Sequence, residues 1–291
     1  MNTVPFNFLS LDEKEACYAD SRFVVLPIPY DLTSSFMPGS RNGPAAIISA
    51  SNHLEVFDEE VETECYKHGI ATLEALEPNA DGPAAMQRDI YRHARRVVRD
   101  GKFLFGLGGD HSVSLGLIQA VMAKHRKLSV LQIDAHLDLR DKFLGSSHAH
   151  ACVMRRVYDL GATIVPVGVR AVSPDEHRFL KKSKIAPISS RDCYMEDDWV
   201  DRVLNALGDT VYVTMDIDAF DPAFAPGTGT PEPGGLDWYQ VTGLLRLVAA
   251  EKNVVAADIV EVMPIPGQVV TEFLAARLAY KLMTYVAERW S

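Results

Sequence analysis

The chain has 291 residues, of which 47% are hydrophobic, and its formal net charge at pH 7 is −10. This length and composition predict a folded protein with a large core, organised as a single domain over residues 1–291. The negative charge argues against a nucleic-acid partner. No apolar run approaches the roughly 18 residues of a membrane span. The N-terminus also lacks a basic and then apolar secretory signal, so we expect a cytoplasmic protein with no membrane partner.

Short apolar segments, often rich in β-branched residues, alternate with helical patterns along the chain. This alternation predicts a three-layer α/β/α sandwich, in which helices cover both faces of a mostly parallel sheet of about eight strands. The predicted strands are residues 22–29, 68–72, 103–107, 128–133, 163–169, 184–189, 211–215 and 254–260. The predicted helices begin at residue 43 and then cover 84–99, 113–124, 152–159, 175–182, 199–206, 238–250 and 270–288.

The four cysteines are scattered along the chain, at Cys17, Cys65, Cys152 and Cys193. None of them forms a C-x-x-C pair. The spacing therefore favours reduced thiols over a disulfide framework or a thiolate zinc site.

The sequence VLQIDAHLD, residues 130–138, places three metal-binding side chains directly after a predicted strand. Asp134, His136 and Asp138 alternate, and in an extended chain they would share one face at a spacing of about 6.6 Å. A solvated strand end with charged turn residues is the alternative interpretation.

Two further clusters follow predicted strands in the same way and favour a functional site. The sequence GGDHS, with His111, follows strand 103–107, and Asp216 and Asp218 follow strand 211–215. In a parallel sheet the carboxyl ends of the strands lie at one edge and open into the ligand crevice. We therefore expect these clusters to meet.

The expected cluster contains four carboxylates and two imidazoles, a set that favours manganese over magnesium, cobalt or zinc. Two divalent ions would neutralise four aspartates, whereas one would leave a costly excess of buried negative charge. Two ions roughly 3.5–4 Å apart lower the pKa of a shared water and indicate hydrolysis. Metals that only stabilise the fold are the less favoured alternative. The predicted ligands are His111, Asp134, His136, Asp138, Asp216 and Asp218.

The three motifs resemble those of the ureohydrolase superfamily, the arginases and agmatinases. They are GGDHS, DAHLD and MDIDAFDPAFAPGTGTPEPGG, and the resemblance extends from about residue 23 to residue 280. It implies an arginase-like fold and a binuclear centre with two Mn²⁺ per subunit. In that centre Asp134 and Asp216 would bridge both ions. The remaining ligands would be His111 and Asp138 at one ion and His136 and Asp218 at the other.

The resemblance also implies roles in catalysis for two residues, and the hydrolytic mechanism adds a third. His150, in HACVMRR, would carry a proton near the leaving amine, and Glu261, in DIVEV, would anchor the substrate guanidinium. Asp138 would pass a proton from the nucleophile towards the leaving group. By themselves His148 and His150 are more typical of loop histidines, and Glu261 is equally typical of an ion-pair partner at a strand end. His148 is expected to lie outside the catalytic set.

Within the superfamily the chain is most similar to the agmatinases. Arg140 and Ser173 stand where arginases have the Asn and Asp that hold the amino-acid end of arginine. The segment MPIPGQVVTEF, residues 263–273, departs from the usual agmatinase ending. Despite that departure, the similarity to agmatinases implies hydrolysis of agmatine, a small cationic guanidine, to putrescine and urea in polyamine biosynthesis.

Other guanidines remain as alternative substrates, namely aminopropyl-agmatine, guanidinobutyrate and arginine. Arg140 and Arg170 keep an acid-tailed substrate open. A non-catalytic regulatory relative is less favoured, because all six ligands are present. The resemblance also implies a homo-trimer or homo-hexamer.

Overall fold

The computed structural model describes residues 4–290; the two ends of the predicted domain, residues 1–3 and 291, lie outside the described residues. These residues form one eight-stranded sheet in the order β2-β1-β3-β8-β7-β4-β5-β6, and every paired neighbour is parallel. The strands are β1 (Phe23–Ile28), β2 (Ile70–Thr72), β3 (Phe103–Gly108), β4 (Ser129–Ile133), β5 (Thr163–Val169), β6 (Ile188–Ser189), β7 (Thr210–Asp216) and β8 (Asn253–Val260).

Ten α-helices lie within residues 4–290. They are α1 (Glu13–Ala16), α2 (Gly43–Ser51), α3 (Pro83–Arg99), α4 (Ser114–Met122), α5 (Val153–Asp159), α6 (Pro174–Leu180), α7 (Ser190–Met195), α8 (Trp199–Ala206), α9 (Trp238–Glu251) and α10 (Val270–Ala287). Helices α2 and α7–α10 pack on one face of the sheet, and α3–α6 pack on the other. The predicted three-layer sandwich with a parallel sheet is confirmed.

The central strands are buried on both faces, as a sheet covered by two helix layers requires. In β4, for example, Val130 packs into one hydrophobic cluster, and Leu131 and Ile133 pack into the other. The polar Gln132 lies between them and is also fully buried. The continuous apolar runs in the sequence therefore reflect burial on both sides of the sheet.

Two helices and one strand differ from the sequence predictions. Helices α1 and α7 were not predicted, and the strand expected over residues 184–189 is reduced to β6. Helix α7 begins with a capping box at Ser189, whose hydroxyl accepts a hydrogen bond from the Asp192 N–H while the Asp192 carboxylate accepts one from the Ser189 N–H. This capping box starts α7 and ends β6 at the predicted residue. The start of the strand is lost because residues 184–187 do not pair with β5, and Pro187 has no N–H to donate to a sheet.

The strand order brings four strand ends together at the centre of the molecule. Strands β3, β8, β7 and β4 are consecutive neighbours in the sheet, and all four run in the same direction. Their carboxyl ends therefore lie side by side at one edge.

No helix within residues 4–290 is long and apolar enough to cross a membrane.

Candidate metal centre and substrate cavity

Three of the four adjacent strand ends, those of β3, β4 and β7, carry all six predicted ligands, and Glu261 follows the fourth, β8. His111 lies in a turn after β3, Asp134 follows β4, and Asp216 is the last residue of β7. The other three ligands, His136, Asp138 and Asp218, lie two to five residues beyond a strand end. Five of the six side chains are buried, and the sixth, His136, is partly exposed.

His111 faces three of the carboxylates. Its Nδ1 atom lies 3.1 Å from Asp134 Oδ2, 3.1 Å from Asp138 Oδ2 and 3.5 Å from Asp216 Oδ2. Its Nε2 atom lies 2.9 Å from Thr214 Oγ1, and that hydroxyl donates to Asp258 Oδ1 at 2.6 Å. The hydroxyl proton is thus used, so Nε2 must donate and Nδ1 is the nitrogen left to bind a metal.

His136 lies on the other side of Asp134. Its Nδ1 atom is 2.9 Å from Asp218 Oδ2 and 3.7 Å from Asp134 Oδ1. The six residues contain two clusters in which all ligand atoms lie within 4.8 Å of one another, namely His111, Asp134 and Asp216, and Asp134, His136 and Asp218. Asp134 belongs to both clusters, which is the geometry that a bridging ligand requires.

Protons bound to this cluster balance part of its negative charge. Burial alone would lower the pKa of His136, but the Asp134 and Asp218 carboxylates outweigh it and raise that pKa to about 12. The pKa of His111 is likewise raised, because Asp134 and Asp138 outweigh its burial. Burial, together with the carboxylates of Asp218 and Asp134, raises the pKa of Asp216.

The residues present fit a pair of divalent cations. Nδ1 of His111 is buried and makes no hydrogen bond of regular geometry within residues 4–290, although it faces carboxylate oxygens. Carboxylates and imidazoles crowded together without fixed counter-charges are the donor set that a hard or borderline cation prefers. Cations bound here would replace the protons and stabilise all four aspartates in the ionised form.

Divalent-ion binding to the metal-free protein is expected to strengthen as the pH rises. A raised pKa means that His136 keeps its proton at neutral pH, so an ion must displace that proton in order to bind. The apparent affinity for Mn²⁺ should rise about tenfold per pH unit for each proton displaced. Titration calorimetry between pH 6.5 and 8, in buffers of different ionisation enthalpy, would count the protons. An affinity independent of pH would contradict the proposed ligands.

Two residues of the site have backbone conformations that residues other than glycine rarely adopt. Asp138 and Glu261 have positive φ angles of 52° and 61°. Such residues cost about 1–3 kcal/mol each and persist only where the surrounding structure holds them. The Glu261 N–H donates to the Gly109 carbonyl at 2.7 Å, and the Asp138 carbonyl accepts from the Arg155 N–H at 3.1 Å.

Gly109 allows the turn after β3 to pass close to the end of β1. A Cβ atom at this position would lie only 2.1 Å from the Tyr30 carbonyl oxygen. The close approach lets the Asp110 N–H donate to that same carbonyl at 2.8 Å. Glycine therefore precedes Asp110 because the two segments are in backbone contact.

Buried polar residues inside the strands orient the ligands. Gln132 Nε2 donates to Asp134 Oδ2 at 2.9 Å and to the His136 carbonyl at 3.1 Å. Asp258, in the middle of β8, accepts hydrogen bonds from Thr214 and from the Tyr212 hydroxyl, each at 2.6 Å. Neither Gln132 nor Asp258 belongs to one of the three sequence motifs. Their signal was present, since each is a polar residue inside an otherwise apolar strand.

A cavity of about 450 Å³ opens onto the ligands. Six acidic residues line it, namely Asp138, Glu176, Asp216, Asp218, Glu232 and Glu261. Of the lysines and arginines within residues 4–290, Arg140 alone lines the cavity. This excess of acids favours a positively charged ligand. Glu176 and Glu232 were also missed by the sequence analysis.

The predicted catalytic residues His150 and Glu261 both line this cavity, together with Asp138. Glu261 Oε1 accepts a hydrogen bond from the His111 N–H at 2.9 Å. Burial, followed by the Asp110 carboxylate, raises the pKa of Glu261, so a docked cation would stabilise its ionised form. His148 is not part of the cavity lining; its Nδ1 lies 3.1 Å from Ser147 Oγ.

Arg170 is not free to bind an acidic tail. Its guanidinium donates to backbone carbonyls, among them those of Asp218 at 2.6 Å and Glu232 at 2.7 Å. It therefore holds the segment after β7 against the loop that carries Glu232. Arg140 remains in the cavity wall, where its guanidinium carbon lies 5.4 Å from the centre of the Phe143 ring.

Comparison with known proteins agrees with these features. The arginase family model matches residues 21–285. The N(1)-aminopropylagmatine ureohydrolase of Synechocystis is 40% identical over 98% of this chain and 95% of that protein. The agmatinase of Pyrococcus horikoshii is 35% identical over 84% of each chain. The crystal structure of agmatine ureohydrolase of Thermoplasma volcanium has a TM-score of 0.87 and 31% identity, covering 95% of this chain and 94% of the other.

The match covers both halves of the sheet and the whole candidate site. It confirms the resemblance based on the three motifs of the sequence. The chain therefore belongs to the arginase family and is a ureohydrolase acting on guanidines.

Proposed function

We propose that this protein hydrolyses the guanidino group of a linear guanidine with a cationic tail, releasing urea and the corresponding amine. The convergence of six ligands and Glu261 from four neighbouring strand ends on one acidic cavity carries this proposal. Two substrates are considered, agmatine and its longer N1-aminopropyl derivative. Water adds to the guanidino carbon, the bond from that carbon to the tail nitrogen breaks, and the amine leaves with a proton.

The longer substrate is the favoured one. The relative from Synechocystis, which aligns with 98% of this chain, is named an N(1)-aminopropylagmatine ureohydrolase. Hydrolysis of N1-aminopropylagmatine would give spermidine, whereas hydrolysis of agmatine would give putrescine. Agmatine stays the second candidate, because the relatives from Pyrococcus horikoshii and Thermoplasma volcanium are named for that activity.

We further propose that His111, Asp134, His136, Asp138, Asp216 and Asp218 hold two divalent cations, with manganese preferred. When bound, such a pair supplies positive charge and lowers the pKa of a water molecule towards neutrality. The protein contributes the fixed geometry. Gln132 and Asp258 orient the ligand side chains, so that little reorganisation accompanies the reaction.

The Glu261 carboxylate would bind the substrate guanidinium. Carboxylate and guanidinium are both planar, and two parallel N–H···O bonds fix the orientation as well as the position of the substrate. The guanidino carbon is a weak electrophile, because its charge is spread over three nitrogens. Precise positioning therefore contributes much of the rate.

Asp138 and His150 would manage the protons. Asp138 lies among the ligands and also lines the cavity, so its carboxylate can accept a proton from the attacking water and pass it towards the leaving amine. His150 would exchange protons between that amine and solvent, a task that suits an imidazole near neutral pH.

Glu232 is the best candidate for contact with the cationic tail. Its side chain lines the cavity, and within residues 4–290 its carboxylate makes no hydrogen bond or ion pair. Glu176 also lines the cavity, but its carboxylate accepts hydrogen bonds from the backbone of Leu139 and Ser173, each at 3.0 Å. Glu176 is thus engaged in holding the cavity wall, whereas Glu232 is free to bind an amine.

Urea release from four guanidines, assayed with manganese present, tests the proposal. We expect N1-aminopropylagmatine and agmatine to be hydrolysed, with arginine and guanidinobutyrate far poorer. Glu232→Gln should raise KM for N1-aminopropylagmatine about two- to fivefold, since a partly exposed ion pair contributes up to about 1 kcal/mol. Preference for guanidinobutyrate would contradict the proposal and would assign the tail to Arg140.

A homo-trimer or homo-hexamer in the cytoplasm remains part of the proposal. Light scattering of the purified protein would test the oligomeric state.

A further inference from the structure

The loop after β1, residues 30–42, reaches the proposed proton carrier through one hydroxyl group. Thr33, in this loop, is 8% exposed, and its Oγ1 atom accepts a hydrogen bond from the backbone N–H of His150 at 2.9 Å. The same oxygen lies 3.3 Å from His150 Nδ1. The Thr33 hydroxyl is therefore in contact with both the backbone and the ring of His150.

The hydroxyl proton of Thr33 is directed away from His150. Thr33 Oγ1 donates to Asp110 Oδ2 at 2.7 Å, and the Thr33 N–H donates to the same atom at 2.9 Å. The other oxygen of Asp110 accepts from the N–H of Ser112 at 3.1 Å and from its hydroxyl. The Asp110 carboxylate thus receives four donors, and the hydroxyl of Thr33 has no second proton for His150.

This arrangement determines which ring nitrogen of His150 carries the proton. Facing Nδ1, the Thr33 oxygen can only accept, so Nδ1 must bear hydrogen in the neutral ring. Nε2 is then the nitrogen that exchanges protons. A histidine tautomer is commonly set in this way, by the partner of its other nitrogen.

Thr33 is itself held in place by the rest of its loop. Asp31 Oδ2 accepts from the N–H groups of Gly39 at 2.9 Å and Arg41 at 3.1 Å, and Asp31 Oδ1 accepts from Arg41 Nε at 2.5 Å. These bonds close the loop at both ends. The Phe143 ring packs edge-on against the His150 imidazole, with 5.4 Å between ring centres.

We propose that Thr33 is a positioning residue that fixes His150 in the Nδ1–H tautomer and so keeps Nε2 available for proton transfer. The inference rests on the proposed function. In each turnover Nε2 accepts a proton from solvent and becomes part of an imidazolium. After the carbon–nitrogen bond has broken with the proton passed on by Asp138, Nε2 donates its own proton to the released amine, which leaves as an ammonium ion, and the Nδ1–H tautomer returns.

The test uses the manganese-loaded enzyme and the isosteric variant Thr33→Val. We expect kcat to fall about tenfold with KM changed less than about twofold, since a well-placed acid or base contributes about 10²–10⁴-fold and the imidazole itself remains. Added imidazole should restore part of the lost kcat. Thr33→Ser, which keeps the hydroxyl, should behave as the wild type.

A double-mutant cycle separates positioning from general support of the fold. In the background of His150→Asn, Thr33→Val should lower kcat no further, because its only route to the reaction is removed. Ser34→Ala is the matched control, because the Ser34 hydroxyl is buried and makes no hydrogen bond within residues 4–290. Its kcat should equal that of the wild type.

Three outcomes would overturn the inference. They are an unchanged kcat in Thr33→Val, a loss that imidazole leaves untouched, or equal losses in the wild-type and His150→Asn backgrounds. If Thr33→Val does not yield folded protein with normal metal content, Thr33→Ala removes the same hydroxyl without added bulk and gives the same readouts. Wild-type enzyme that releases no urea from any of the four guanidines would instead overturn the proposed function.

Discussion

Asp218→Asn is expected to lose about one metal ion per subunit and to lower turnover at least about 100-fold, since losing even an outer partner of a metal ligand typically costs about 10- to 100-fold. The exchange preserves the shape of the side chain. Asp218 Oδ1 accepts from the Ala135 N–H at 3.1 Å, and an amide oxygen can do the same. What is lost is one negative charge in the cluster with Asp134 and His136.

Metal content measured by mass spectrometry, beside the urea assay, checks this prediction. Asp159→Asn is the control, because Asp159 forms ion pairs with Arg155 and Arg156 at the surface, where such pairs contribute little. That variant should keep both its metal and its turnover. Full metal occupancy in Asp218→Asn would argue against Asp218 as a ligand.

Glu261→Gln is expected to reduce kcat/KM at least about 100-fold without changing the metal content. Two hydrogen bonds to a charged partner contribute about 1.5–3 kcal/mol each, and a neutral amide weakens both. An amide oxygen can still accept the hydrogen bond from the His111 N–H, so the strand end should stay in place. Raised KM together with lowered kcat would indicate that Glu261 both binds and aligns the guanidinium.

Glu77→Gln provides the comparison, because Glu77 is an exposed acid in the loop before α3. Its kinetic constants should match those of the wild type. If Glu261→Gln retained its kcat/KM, the guanidinium would have to be held by another acid of the cavity, and Glu232 would be the next to test.

Much of the fold was predictable because burial leaves a pattern in the sequence. Strand β5 and helix α8 begin and end where the sequence predicts. Strand β6 was predicted four residues too long at its start, where Pro187 has no N–H to donate to the sheet, and helix α7, which begins with the capping box at Ser189, was not predicted. A short helix with a capping box is a local signal, and it was overlooked rather than hidden.

The candidate ligands were also predictable, since they follow apolar strands directly. Their neighbours in space were not. Thr33 contacts Asp110 and His150, which lie 77 and 117 residues further along the chain. No periodicity or motif in the loop after β1 marks that threonine, because a contact over such a distance in sequence depends on the strand order.

The sequence by itself determined the alternation of strands and helices and the presence of six metal-binding side chains after three strands. It could do so because hydrophobic burial and ligand chemistry act on each segment locally. Only the tertiary structure decided that β3, β8, β7 and β4 are neighbours and that Arg170 is held by backbone carbonyls rather than open to a substrate. The order of parallel strands depends on packing between segments far apart in the chain, and that packing leaves no local signature.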